Sequence, residues 1–418
     1  MDNNAGTTAR FRAPDQVRHE SRPSVWRALT FRVRLECQYV APEPGAIVFT
    51  ANTDHNERMT PYLLQELDEQ PLAIIGDVHG EILALDQLLD HLEHQASGRL
   101  LVFIGDLCDR GPSSVSVIQK VRDLVDQGRA ICLLGNHEIN LLANDAKDGS
   151  GWFFDIREAS DTPFYAPFER ATARERPAIR DFFSRLPLAI RMPGLRIVHA
   201  AWDTAAIEAI AQVPLGHILE FIHECSQRLE NAAHKDDLHA RYLAERERWH
   251  TRLEDPDHPP PYLDAVADHE VLEQALSPIK RLTSGIEALC PQPFFSGNRW
   301  RYLDRVPWWN DDADPTPVLI GHYWRLFTRP ENSQAWRYSR LFEGVAPTAW
   351  HGRHEQAFCL DYSVGARWRE RKQHVPVDQS RFRLAAMLWP ERSLIFDNGD
   401  VLPTHVKASA NALQPGPG

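Results

Sequence analysis

Three short segments between Pro71 and Glu138 restrict most strongly what this chain can fold into: LAIIGDVHGE, LVFIGDLCDRGP and CLLGNHE. Each is a run of apolar residues (Leu72 to Ile75, Leu100 to Ile104, Ile131 to Leu134), then a glycine, then carboxylate, amide or imidazole side chains. A strand buried on both faces reads as continuous Leu, Ile and Val, and open α/β sheets gather their ligands beyond the carboxyl ends of such strands. Gly76, Gly105 and Gly135 stand where the backbone must turn sharply. Between the segments, Leu85, Leu88, Leu89 and Leu92, and then Val115, Ile118, Val121, Leu124 and Val125, recur at helical spacing. Strand, crossover helix and parallel strand build a βαβαβ unit, right-handed by strong precedent, with the three polar loops side by side.

Composition bounds the rest. With 418 residues, 43% of them hydrophobic, the chain can bury one large core or two moderate ones. A net charge of -12 argues against a nucleic-acid-binding surface over the whole protein, so no nucleic-acid partner is expected. Cys37, Cys108, Cys132, Cys225, Cys290 and Cys359 stand far apart with no C-x-x-C pair, which suggests neither a disulfide framework nor a zinc knuckle. No apolar stretch approaches the roughly 18 to 20 residues of a membrane span. The expectation is a cytoplasmic protein with no membrane partner.

Residues 1–58 carry scattered arginines without periodicity and read as a poorly ordered arm. One reading is a targeting or interaction arm; a plainer one is that translation starts at Met59, before a first helix-like segment. After GNHE the chain runs through aromatic residues to LPLAI and LRIVHAAW, where an apolar strand, Leu195 to Val198, delivers His199. Residues 203–317 change character. Ile218, Phe221, Ile222, Cys225 and Leu229 lie at helical spacing, and a charged run and DPDHPPPYLD follow, as in a helical cap with a proline-stiffened linker. The block at 318–402 returns to short strands (VLIGHYW, AFCLDYSV, RLAAMLW, SLIFD), read as completing a second sheet, and 403–418 reads as a disordered tail.

Asp77, His79, Asp106, Asn136, His199 and His322 each stand at the exit of an apolar strand. Two carboxylates, one amide oxygen and three imidazoles suit two borderline divalent ions better than soft thiolate metals or a calcium cage. A carboxylate shared by two ions can hold a bridging hydroxide nucleophile between them. GD after a strand is common on its own, and so is a lone core histidine. GD-x-HG, GD-x-x-DRG and GNHE in order, each behind its own strand, is a far more specific combination.

These motifs resemble those of the calcineurin-like metallophosphoesterases, in the branch of the serine/threonine protein phosphatases and the bacterial diadenosine tetraphosphatases. The resemblance covers roughly residues 71–200 and 318–397. It implies a four-layer αββα sandwich with the helical insert as a cap, split into halves at 59–202 and 318–402. It also implies two divalent metal ions, manganese foremost with iron, zinc, nickel or cobalt as alternatives. Asp77 and His79 would hold one ion, Asp106 would bridge, and Asn136, His199 and His322 would hold the other. Arg110, with Asn136, would bind the phosphate; His137 would protonate the leaving oxygen and Asp109 would orient its ring. The implied activity is hydrolysis of a phosphomonoester, on a protein or a small molecule, by in-line attack of the bridging hydroxide. Hydrolysis of a dinucleoside polyphosphate is the alternative, and a non-catalytic scaffold a third reading.

The chain departs from the protein phosphatases where they carry HGG and it has His199-Ala200-Ala201-Trp202, and GHYW ends the last metal strand. Arg299 and Arg301 are candidates for a second phosphate-binding arginine. Cys108 reads as a packed thiol, His351 and His354 as exposed loop residues, and Trp300, Trp308, Trp309, Trp324 and Trp350 as core or lid packing, with a groove for a nucleotide base or peptide as the alternative.

Overall fold

The computed structural model describes residues 61–235, 237–327 and 337–405. The arm at 1–58, Met59 and the tail from 406 lie outside these. The described residues fall in one compact unit, Arg58–Gly418.

The chain order is β1 (Leu64–Glu66), β2 (Leu72–Ile75), α1 (Ile82–Ala96), β3 (Leu100–Phe103), α2 (Ser114–Asp126), β4 (Ala130–Cys132), α3 (Asn136–Leu142), α4 (Asp155–Tyr165), α5 (Glu175–Ser184), β5 (Ala189–Met192) and β6 (Leu195–Val198). The segment from 203 to 317 adds α6 (Thr204–Ile210), α7 (Ile218–Lys235), α8 (Leu238–Trp249), α9 (Asp264–Leu276), α10 (Pro278–Ser284) and the hairpin β7 (Glu287–Ser296) and β8 (Arg299–Arg305). Then come β9 (Val318–Ile320), β10 (Ala357–Cys359), α11 (Arg367–Lys372), β11 (Ala385–Trp389), β12 (Ser393–Phe396) and β13 (Val401–Pro403).

Two sheets form the core. One has the order β13-β12-β11-β2-β3-β4, the other β1-β5-β6-β9-β10. Strand period decides the layering, since alternate side chains point to opposite faces. Leu72 and Ile74, Val102, Ile190 and Met192, Leu195 and Ile197, Leu319, Phe358 and Met387 meet in one cluster between the sheets. Their alternates (Ala73, Ile75, Leu101, Phe103, Val198, Val318, Ile320, Ala357) instead pack with Leu85 and Leu88 of α1, Val117 and Val121 of α2, Phe182 of α5, Ile207 of α6 and Leu282 of α10. The result is the four-layer αββα sandwich. No described helix is long and apolar enough to cross a membrane.

Four details differ from the sequence reading. The helix-like stretch after Met59 contains β1, because parallel pairing of Leu64 with Ala189 and Glu66 with Arg191 outweighs local helical propensity. The last strands do not complete one sheet: β9 and β10 extend the sheet of β6, while β11 pairs antiparallel with β2. The cap region is not only helical, since β7 and β8 form a hairpin. Residues 403–405 are tied down, with the N–H of Thr404 donating to the Arg392 carbonyl and that of His405 to Thr348.

Candidate metal centre

The parallel run β2-β3-β4 brings the three motif loops to one end of the sheet, with β6 and β9 of the second sheet opening onto the same place. All nine residues singled out from the sequence lie there. Asp77, His79, Asp106, Asp109, His137, His199 and His322 are buried, while Arg110 and Asn136 are partly exposed.

Asp106 is the hub. Its Oδ2 lies 3.8 Å from Nε2 of His79, 3.8 Å from Nε2 of His137 and 3.3 Å from Nε2 of His199. Its Oδ1 accepts the backbone N–H of His137 at 3.0 Å. Asp77 stands on the other flank, with Oδ2 3.9 Å from His79 Nε2 and accepting the N–H of His322 at 3.1 Å. By proximity the donor atoms form two groups that share Asp106: His79 and His137 on one side, His199 and His322 on the other.

The imidazoles are oriented from behind. His79 Nδ1 lies 2.9 Å from the Cys108 carbonyl and His199 Nδ1 3.0 Å from that of Ile104, so each presents Nε2 to the centre. Among the described residues, Nε2 of His322 and Oδ1 of Asn136 are buried with no hydrogen-bond partner, while Nε2 of His199 faces only the Asp106 carboxylate. Burial, with the Arg110 charge, holds the His79 imidazole well below its ordinary range, and burial with Arg305 does the same at His322. Burial would lower His199 too, but the Asp106 carboxylate beside it prevails and raises it to about 9. Burial opposes ionisation of Asp106, yet His199 and His137 hold its carboxyl well below the usual range. Burial, then Asp361, pushes Asp77 well above it.

The backbone is shaped for close approach. His79, Asp106, Asp109, Arg110 and His322 all carry left-handed φ between 47° and 73°. Such values cost non-glycine residues free energy and cluster at functional sites. A Cβ on Gly135 would sit 2.2 Å from Asp106 Oδ1, and one on Gly321 2.1 Å from Asp77 Oδ1.

Beside the hub, His137 Nδ1 meets Asp109 Oδ2 at 2.5 Å, and the other Asp109 oxygen accepts from Trp152 Nε1. Arg110 places Nη1 2.9 Å from His79 Nε2. Arg299 pairs with Glu270 at 3.6 Å and Arg301 donates to the Ser296 carbonyl, while the β8 arginine that reaches the ligand set is Arg305, donating to the His322 carbonyl at 3.0 Å. Cys108 is a buried free thiol whose pKa burial pushes well up. His354 is exposed, but His351 is buried against Trp309 and Phe342 with neither ring nitrogen bonded, correcting the exposed reading. Trp308 and Trp309 are core residues.

Sequence reasoning did not single out Asp361 or Trp152, and took Trp324 only as one of the tryptophans of the core or lid, not as a partner of Arg110. Asp361 carried a signal: it follows the apolar strand AFCL, the same punctuation as the three motifs.

Residues 70–250 match the family model for calcineurin-like phosphoesterases. Over 194 residues the chain is 33% identical to the symmetrical bis(5'-nucleosyl)-tetraphosphatase of Paracidovorax citrulli, covering 44% of this chain and 61% of that one. Over 148 residues it is 34% identical to the corresponding protein of Ralstonia nicotianae, covering 34% and 47%. Over 72 residues it is 43% identical to the asymmetrical bis(5'-nucleosyl)-tetraphosphatase PrpE of Oceanobacillus iheyensis, covering 15% and 29%. The chain thus spans at most about three fifths of the length of these relatives. The family model is matched across GD-x-HG, GD-x-x-DRG and GNHE in order, and residues 70–250 form a calcineurin-like phosphoesterase domain.

Proposed function

We propose that this protein is a dinuclear metal-dependent hydrolase of phosphoric esters. The observation that carries the reading is the convergence on Asp106 of the imidazoles of His79, His137, His199 and His322, with His322 Nε2 and, on the first turn of α3, Asn136 Oδ1 buried without a partner among the described residues. Each such unmet group costs about 1–3 kcal/mol, a penalty that a cation among them removes. Nitrogen and oxygen donors with no thiolate fit manganese first, and iron, zinc, nickel or cobalt as alternatives. Asp77 and His79 would hold one ion and Asn136, His199 and His322 the other, with Asp106 between. When bound, two such ions supply Lewis acidity and a water-derived nucleophile at neutral pH.

The chain's own groups divide the remaining work. Arg110, with a planar guanidinium charged at every physiological pH, binds and orients the phosphoryl oxygens, with Asn136 beside it. His137 delivers a proton from Nε2 to the departing oxygen as the phosphorus–oxygen bond to it breaks, and Asp109 at Nδ1 holds the ring for that transfer. The free, buried thiols among the described cysteines fit a reducing cytoplasm.

The primary substrate class is a phosphomonoester, on a protein or a small molecule. A dinucleoside polyphosphate is the second reading, favoured by the tetraphosphatases among the relatives. The test is turnover by the manganese-loaded protein on an aryl phosphate, a phosphopeptide and diadenosine tetraphosphate, beside elemental analysis of wild type and Asp106→Asn. The expected outcome is hydrolysis with two ions per chain, both weakened in Asp106→Asn. A fully loaded protein inert on all three would leave only the scaffold reading.

A further inference from the structure

His322 is the last of the predicted ligands along the chain, and the turn that carries it is held from two sides. His322 and Trp324 both have left-handed φ, 68° and 54°. The N–H of His322 points into the Asp77 carboxylate, and that of Trp324 donates to Asp361 Oδ2 at 2.7 Å. Asp361, at the end of β10, gives its other oxygen to the N–H of Ser363 at 2.8 Å. A large aromatic residue rarely adopts this backbone conformation, so the turn carries strain that the two buried carboxylates hold in place.

The turn also sets the Trp324 ring against Arg110. The guanidinium carbon lies 4.7 Å from the ring centroid, inside cation–π range. The same ring is 6.3 Å from that of His79. The Arg110 stem packs beside Gly149, where a Cβ would come within 3.1 Å of its Cγ. At its far end Arg110 Nη1 lies 2.9 Å from His79 Nε2. A long cation has many rotamers to lose when it binds a phosphate, and an aromatic face that fixes its plane removes part of that cost beforehand.

We propose that Trp324 is the shelf that positions Arg110 for the phosphoryl group, and that Asp361 keeps the shelf in place by holding its backbone. The proposal rests on the phosphoesterase reading. It assigns Trp324 a positioning role, exerted through Arg110 rather than by contact with the reacting atoms.

The experiment is a double-mutant cycle on the manganese-loaded full chain. It reads kcat and KM for an aryl phosphate, and the affinity for inorganic phosphate measured without turnover. Trp324→Ala should lower kcat/KM about ten-fold and weaken phosphate binding by a similar factor, the size expected from losing one desolvated cation–π contact. Trp324→Phe should retain most of both. Trp324→Leu keeps apolar bulk but no π face, and should lose as much as Trp324→Ala, which separates the contact from packing. In an Arg110→Ala background the Trp324 substitutions should add little, because residues acting through one group are not additive. Three results would overturn the proposal: an undiminished Trp324→Ala loss in the Arg110→Ala background, full activity of Trp324→Leu, or loss of manganese from Trp324→Phe. Absence of turnover in the wild type would overturn the phosphoesterase reading instead, and phosphate affinity would still decide the coupling between Trp324 and Arg110.

Discussion

His137 shows what one side chain can be asked to do here. Its ring is braced at Nδ1 by Asp109 and presents Nε2 to the hub, where it lies 3.8 Å from Asp106. If it donates a proton to the departing oxygen, the loss on removing it must grow with the basicity of that oxygen. His137→Ala should therefore lose about 10²- to 10⁴-fold in kcat/KM on an alkyl phosphate and far less on a nitrophenyl phosphate, the range general acid catalysis usually supplies. Metal content, followed in parallel, should stay near that of wild type. An equal fall on both esters with metals intact would move His137 from the leaving group to the phosphate or the nucleophile. Residues of this kind were legible because strand, glycine and ligand recur in a fixed order. Trp324 was not, because nothing local to GHYW reveals that Arg110, far away in the chain, lies against that ring. Asp361 sat in plain view but shares a strand exit with no glycine and no histidine to draw the eye.

At the scale of elements, α3 acts as a clamp more than as a helix. Glu138 on its first turn is fully buried and accepts the backbone N–H groups of Asp106 and Leu107, each at 2.8 Å, and of Gly135 at 2.9 Å. One carboxylate thus fastens the loop after β3 to the start of α3, and with it the left-handed Asp106. Glu138→Gln would set an amide N–H₂ against a backbone N–H and should cost about 2–3 kcal/mol of stability, read from urea denaturation. It should also weaken metal binding, because Asp106 loses its tether. An unchanged unfolding midpoint would mean that the loop holds without the clamp. The alternation β2-α1-β3-α2-β4 was readable from periodicity, although α2 turns Val117 inward and leaves Val115 and Val125 only partly buried. The β7–β8 hairpin was missed despite a local signal. Gly297 and Asn298 join its strands with φ of 57° and 54°, the two left-handed residues that a tight hairpin turn prefers.

For the molecule as a whole, one buried histidine ties stability to pH away from the metal centre. Burial, and then the Arg325 charge, hold the His351 imidazole well below its ordinary range. The folded chain therefore keeps this ring neutral where the unfolded chain protonates it. Nothing changes above pH about 6.5, and stability falls as the pH drops below that value towards the lowered pKa, by at most about 1.4 kcal/mol per pH unit. His351→Phe should flatten this part of the unfolding profile between pH 6.5 and 5. A slope unchanged by the substitution would show that other groups carry it. Trp308 and Trp309, read from the sequence as core or lid, belong to the same core: Trp309 packs on His351 and Tyr323, so changing it should cost stability before selectivity.

The pairing of β11 with β2 has a further consequence, in time rather than space. During synthesis β2 finds β3 almost at once, but its other edge stays bare until a partner emerges roughly three hundred residues later. At ribosomal speeds of about 5–20 residues per second, that is about 15–60 s during which an apolar strand bearing Asp77 has an open flank. The nascent chain would have to be sheltered through that interval, and a chain cut short before Ala385 should expose β2 as a sticky edge rather than fold into a smaller enzyme.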